Sequence, residues 1–292
     1  MDNTIFKNQN TKQLLKCLAA QRHEYSIAKK ANMGKDIATI IFGVYSMLTS
    51  VIDSDLLSAL SCLFAITILI VNRHIDIYTL KHQKNAALIQ QYFDATLFSS
   101  IVDVDTIKWG PLPTQTELAE STSTVVDSML EPFKNWYNDY STLSPAWQVF
   151  CCQKENIRWD ARLRSEFKYL VISALSITLI ALVITALTIN PSIIKFINIF
   201  AWFLPIADYG FNTINKLRDD IARLDLLKKQ AEDVEIQLAN NNTYQIYDKL
   251  ISLQQKIMDH RQSSILVPDW FYQIRKNKHQ KREANIADTL KI

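Results

Sequence analysis

The stretch from Phe167 to Tyr209, FKYLVISALSITLIALVITALTINPSIIKFINIFAWFLPIADY, constrains this chain more than any other. It contains two apolar runs with almost no charge, separated by Thr188, Ile189, Asn190 and Pro191. A helix that crosses a bilayer takes roughly 20 such residues. Asn190-Pro191 is a stop and a restart, because the residue before a proline is pushed out of the α region while proline suits the first turn of a new helix. The expected element is a transmembrane helical hairpin over residues 167–209, so the rest of the chain has to be placed relative to a membrane.

Ile37 to Ile52 and Leu56 to Val71 are two more apolar runs, separated by Asp53, Ser54 and Asp55. Each is short for a full span, so a buried hairpin of a soluble protein competes with a second membrane hairpin over 37–72; the membrane reading is preferred. Basic residues orient the spans. Lys29, Lys30 and Lys35 precede the first, Arg73, Lys81 and Lys84 follow the second, Arg158, Arg162, Arg164 and Lys168 precede the third, and Lys216, Arg218 and Arg223 follow the fourth. Neither hairpin tip carries Lys or Arg. The positive-inside rule then puts both termini and the central segment in the cytoplasm.

The resulting expectation is an all-α integral membrane protein with two transmembrane hairpins, four spans in all, and a helical cytosolic domain. Its parts are an N-terminal helix (1–36), hairpin 1 (37–72), a helical insertion (73–166), hairpin 2 (167–209) and a C-terminal helical region (210–292). Mean hydropathy is only −0.02 because apolar hairpins alternate with polar flanks. With 4 Gly and 7 Pro the chain suits long helices better than turn-rich sheets. No signal peptide is read at the start, where the segment before the first apolar run is polar and mixed in charge. The second span is expected to continue as helix to about Phe98. A turn-rich loop follows at 101–116, then a helix over about 116–130. A helix starting at Ser144-Pro145 is expected to enter the third span. After the fourth span, helices over 210–238 and about 244–261 form an antiparallel pair around Asn240-Asn241-Asn242. The tail RKNKHQKREAN is expected to be solvated.

The formal charge of +3 is too small to argue for a nucleic-acid polymer as partner. No phosphate loop, dinucleotide-binding glycine motif, zinc-protease motif or nucleophile elbow occurs, and no Cys/His ligand spacing. His23, His74, His82, His260 and His279 lie on polar stretches, where solvated rings are expected. The pairs Asp103/Asp105 and Asp219/Asp220 are read as solvated too. The chain is therefore expected to be no enzyme and to carry no metal or cofactor. Cys17, Cys62, Cys151 and Cys152 show no disulfide pattern; for Cys151-Cys152 acylation competes with idle, packed thiols.

Two groups of residues offer function. Thr39, Gly43, Ser46 and Ser50 fall on one face of the first span, and Thr178 and Thr185 on one face of the third. Lys195, Asn198 and Asp208 share a face of the fourth. Close helix packing competes here with lining of an aqueous path. The second group is aromatic and basic: Trp136, Tyr137, Tyr140, Trp147, Arg158, Trp159, Arg162 and Arg164. It offers stacking planes and bidentate cations to a nucleotide, against the alternative of a bundle core with positive-inside arginines.

AAQRHEYSIAKK at 19–30, NWYNDYS at 135–141, CQKENIRWDARLR at 152–164 and VPDWFY at 267–272, set around two hairpins, resemble the bacterial S-4TM proteins. These are SMODS-associated four-transmembrane putative pore-forming effectors. The resemblance covers nearly the whole chain. It implies an anti-phage effector that, on receiving a cyclic oligonucleotide second messenger, assembles as a homo-oligomer and breaches the bacterial inner membrane. A membrane scaffold that recruits partners through its cytosolic helices is the alternative. The resemblance transfers no ligand-binding residues.

Overall fold

The structure is a computed structural model and describes residues 4–50, 55–189, 192–193, 197, 203–240 and 245–290. All regular structure among them is helical. The α-helices are α1 (Ile5–Asn8), α2 (Lys12–Ser50), α3 (Asp55–Ser99), α4 (Gln115–Ser123), α5 (Pro145–Ile189), α6 (Leu204–Ala239), α7 (Ile246–Ser263) and α8 (Asp269–Thr289). Their starts are legible in local chemistry. Thr114 and Glu117 form a reciprocal capping box at α4. Pro145 occupies the first turn of α5, where the Gln148 amide donates to the Ser144 carbonyl at 2.9 Å.

Helices α3 and α5 are 45 residues each, about 67 Å at 1.5 Å per residue. That is more than twice the hydrocarbon thickness of a bilayer. One half of each is apolar and exposed; the other half is buried in a bundle with α1, α2, α6, α7 and the 100–140 segment. The core of the bundle is aromatic. Phe98 meets Trp109 edge-on at 5.3 Å, Phe93 stacks on Tyr137 at 6.2 Å, and all four are essentially inaccessible. The Trp109-Gly110-Pro111 turn has the conformation expected of it: Gly110 has φ 135°, a conformation that an L side chain rarely adopts, and a Cβ there would come within 3.1 Å of Gln91 Nε2.

Buried polar groups tie the bundle together. Asp94 on α3 accepts from Tyr137 Oη at 2.5 Å, Arg261 Nη1 at 2.7 Å and Gln254 Nε2 at 3.0 Å, joining α3, α7 and the turn segment. Where α5 and α6 cross, a Cβ on Gly210 would sit 2.5 Å from Leu175 Cδ1, so glycine permits the approach. Between α2 and α3, Asn72 Nδ2 donates to Thr39 Oγ1 at 3.0 Å and Lys35 pairs with Asp76 at 2.6 Å.

Several expectations are corrected. Among the described residues two helices are long and apolar enough to cross a membrane, Ala59–Ser99 and Pro145–Thr188. The four-span reading is thus supported for two spans: the end of the first apolar run and most of the fourth lie outside the described residues. The expected helix over 116–130 stops at Ser123 and gives way to 3-10 turns at Asp127–Met129 and Glu131–Phe133, the latter with proline in its first turn. The basic tail is not a solvated strand of charge. It forms α8, whose His279, Glu283 and Ala287 are buried. Asp220 and His260 are buried as well, Asp220 against Arg164 and His260 against Asp160. Cys151 and Cys152 are buried and the burial raises both thiol pKa values, that of Cys151 to about 12, which removes the acylation reading.

Candidate functional site

A cavity of about 600 Å³ opens where α2, α5, α7 and α8 meet the 132–138 segment. That volume falls within the range of small-molecule sites, roughly 300 to 1,000 Å³. Two of its walls are single helical faces. Arg22, Tyr25 and Lys29 on α2 and Gln273, Lys276 and Gln280 on α8 are both spaced i, i+3, i+7, which aligns side chains along a helix. The segment Phe133 to Asn138 supplies an opposite, aromatic wall, and Asn156, Trp159 and Asp160 on α5 contribute another side.

Of the residues singled out from sequence for nucleotide binding, Trp136, Tyr137, Trp159 and Arg164 line this cavity, while Trp147, Arg158 and Arg162 do not. Trp147 packs edge-on against Phe150 at 5.7 Å. Arg158 and Arg162 both grip Glu283 of α8, at 2.7 and 2.5 Å, and Glu283 is fully buried. Arg164 is committed as well. Its guanidinium donates to Asp160, Asp220, the Ser264 hydroxyl and the Ile265 carbonyl at 2.7 to 3.0 Å. Tyr137 is 1% exposed and gives its hydroxyl to Asp94. The arginines in this set are therefore structural cations, each engaged by a protein carboxylate, with Arg158 and Arg162 sharing one.

Cations with no carboxylate partner lie elsewhere. Among the described residues, no carboxylate lies within ion-pair distance of Lys276 or Lys281, both on the cavity wall. Arg22 lies over the Tyr272 ring at 4.4 Å and 3.5 Å from Asp269, which Lys29 holds at 2.9 Å. Burial lowers the Lys29 pKa, with Asp269 opposing it. Two carboxylates face the same space with different character. Burial would raise Asp160, but Arg164 and the bond with His260 prevail and hold it well below the usual carboxylate range. Among the described residues no cation lies within ion-pair distance of Glu155, which accepts from Asn138 Nδ2 at 2.9 Å and Tyr140 Oη at 3.0 Å. Its burial pushes the pKa up to about 7. Aromatic planes beside unpaired lysines suit a ligand that stacks and carries negative charge.

The two lysines lie in the stretch expected to be a solvated tail, and Lys29 served in the sequence only to orient the spans. The i, i+3, i+7 spacing was the available signal. Among the described residues no group of three or more His, Cys, Asp or Glu could hold a metal ion.

The membrane-related stripe divides differently. Thr39, Thr178 and Thr185 return their hydroxyls to the carbonyls of Lys35, Ala174 and Ala181, and Thr39 also accepts from Asn72; Thr178 is half-buried and Thr185 exposed. Asp208 is exposed and accepts from Asn212 at 3.2 Å, and Gly43 is half-buried. The side chains of Ser46 and Ser50, and all of Lys195 and Asn198, lie outside the described residues.

Trp159 and Lys29 each stand eight residues before an apolar run, at Phe167 and Ile37, about 12 Å along their helices. This combination defines a class: an all-helical, membrane-type protein whose ligand-sized cavity is built on the helices that continue into its apolar half. The chain belongs to the SMODS-associating 4TM effector domain family, whose model matches residues 3–290. It is also similar to a probable CBASS effector molecule of Bacillus cereus strain VD146, 23% identical over 212 residues that span 70% of this chain and 68% of that protein. No solved structure matches. The four stretches that carry the family resemblance, around Arg22, Trp136, Trp159 and Tyr272, converge on the cavity.

Proposed function

We propose that this protein is a non-enzymatic effector of CBASS-type anti-phage signalling, and that the cavity receives its cyclic oligonucleotide trigger. Bases stack against Trp136, Trp159 and Tyr272, and phosphates lie toward Lys276, Lys281 and Arg22. The observation that carries this reading is the pairing of aromatic walls with two lysines that lack carboxylate partners among the described residues. Ligand binding favours the conformation to which it binds more tightly. Because α2 and α5 run unbroken from the cavity into apolar helix, a change in their spacing at the cavity is carried to the spans. The responding state is a homo-oligomer in the inner membrane, with both termini cytoplasmic, in which the spans open or disrupt the bilayer.

The test is dye release from liposomes that contain the full chain, with a panel of cyclic di- and trinucleotides. One member should cause release, and Lys276→Glu with Lys281→Glu should abolish it. If no member binds or causes release, the reading fails. Binding without release, together with unchanged cellular activity of Thr178→Leu and Thr185→Leu, would favour the scaffold alternative.

A further inference from the structure

Helix α8 carries two unlike faces. Gln273, Lys276 and Gln280 line the cavity, while Trp270 and Ile274, one turn apart, are 51% and 66% exposed. Scattered apolar residues on a protein surface are ordinary, but this pair has a particular address. Phe271 packs on Phe167 at 5.2 Å, at the foot of the apolar half of α5. Asp269, at the start of the helix, pairs with Lys29, two turns before the apolar run of α2 begins at Ile37.

Neighbouring helices expose aromatic rings in the same zone: Tyr169 on α5 is 62% exposed and Tyr78 on α3 is 48% exposed. Lys168 lies 5.3 Å from the Tyr169 ring, and Lys278, on the next turn of α8 after Ile274, has a side chain 63% exposed and only a long, 3.5 Å contact with Glu166, which Arg275 and His279 also approach. Half-exposed Trp and Tyr with lysines beside them, just outside apolar helix, are the composition of a bilayer interface, where amphipathic rings sit at headgroup level and cations meet anionic lipid.

We propose that the first two turns of α8 rest on the membrane surface, with Trp270 and Ile274 in the headgroup layer and Lys278 against anionic lipid headgroups. The helix that closes one side of the cavity is then also seated on the bilayer. Tyr272 and Lys276 turn toward the ligand space from the same two turns that hold Trp270 and Ile274, so lipid contact and cavity width are linked through one rigid element. The proposal rests on the membrane reading of the apolar helices and not on the identity of any ligand.

The test uses the full chain in vesicles of mixed zwitterionic and anionic lipid, part of it carrying a nitroxide on the headgroup, with no nucleotide present. The emission difference between wild type and Trp270→Phe isolates the Trp270 signal. That signal should fall about twofold or more with the nitroxide lipid, resist aqueous acrylamide, and lose most of its quenching when the anionic lipid is omitted. Quenching by acrylamide without quenching by the nitroxide would place Trp270 in water and overturn the proposal. Protection from both quenchers would place it against protein, such as a second copy, and overturn it as well. Trp136→Phe, whose indole lies at the cavity, serves as the control and should leave the nitroxide effect unchanged.

Discussion

The bundle and the apolar helices use their polar side chains in opposite ways. In the bundle, side chains reach across the fold: Asp94 joins α3 to α7 and the turn segment, Glu283 joins α8 to α5, and Arg164 joins α5 to α6 and the strand-like 264–265 link. In the apolar halves, hydroxyls turn back onto their own helix. Thr67, Thr178, Thr185 and Thr188 each donate to a carbonyl one turn earlier. Thr39 does the same toward the Lys35 carbonyl and in addition accepts a bond from Asn72 of α3. The bundle is therefore cross-linked, whereas these apolar segments are held mainly by their own ladders and by packing.

The largest effect should come from cutting a cross-link. Arg164→Met leaves Asp160 and Asp220 without their shared cation, and removing one partner of a buried ion pair costs about 3–5 kcal/mol. Chemical unfolding in detergent should report a loss of that order, and a loss below about 1 kcal/mol would break the comparison.

Glu155 gives the next effect. Its folded pKa, about 7, lies above the ordinary carboxylate value of 4.5. Its contribution to stability is thus present below pH 4.5 and is lost as pH rises to about 7, since the unfolded chain releases the proton first. The slope integrates to about 3 kcal/mol at most. Unfolding measured across this window should show the decline in wild type, and Glu155→Gln should flatten it.

At the cavity, Lys276→Glu should weaken binding of the active cyclic nucleotide by about tenfold or more, roughly 1.4 kcal/mol, read by calorimetry. The melting temperature should stay within about 2 °C of wild type, because Lys276 supports no ion pair. The smallest effect belongs to the apolar half. Thr185→Leu should change stability by less than about 0.5 kcal/mol, because its hydroxyl serves only its own helix; a larger loss would reveal a cross-link there and sharpen the contrast in the other direction.

Much of the fold was legible in residue order. Helix starts at Ser144-Pro145, the long α3, the turn around Gly110 and the α6–α7 pair all follow from local chemistry and from periodicity. The site was legible only in part. Trp136 and Trp159 stood out as aromatic rings among cations, and both line the cavity. Arg158 and Arg162 stood out for the same reason yet are bound to Glu283, which lies 125 and 121 residues away. Charge that looks available in a sequence is consumed when a distant carboxylate folds against it. The converse holds for Lys276 and Lys281, which looked like part of a solvated tail and became the unpaired cations of the cavity once α8 docked.

The sequence by itself determined that this chain is helical, that it has strongly apolar stretches, and where many of its helices begin, because propensity, capping and hydrophobic length act within a few residues. Tertiary structure alone decided which cations are free, which acids are buried, and that four separated stretches enclose one space. Those outcomes depend on contacts between residues far apart in the chain, such as Arg158 and Glu283 at 125 positions and Arg164 and Asp220 at 56, and no local pattern encodes which partner a charge will meet.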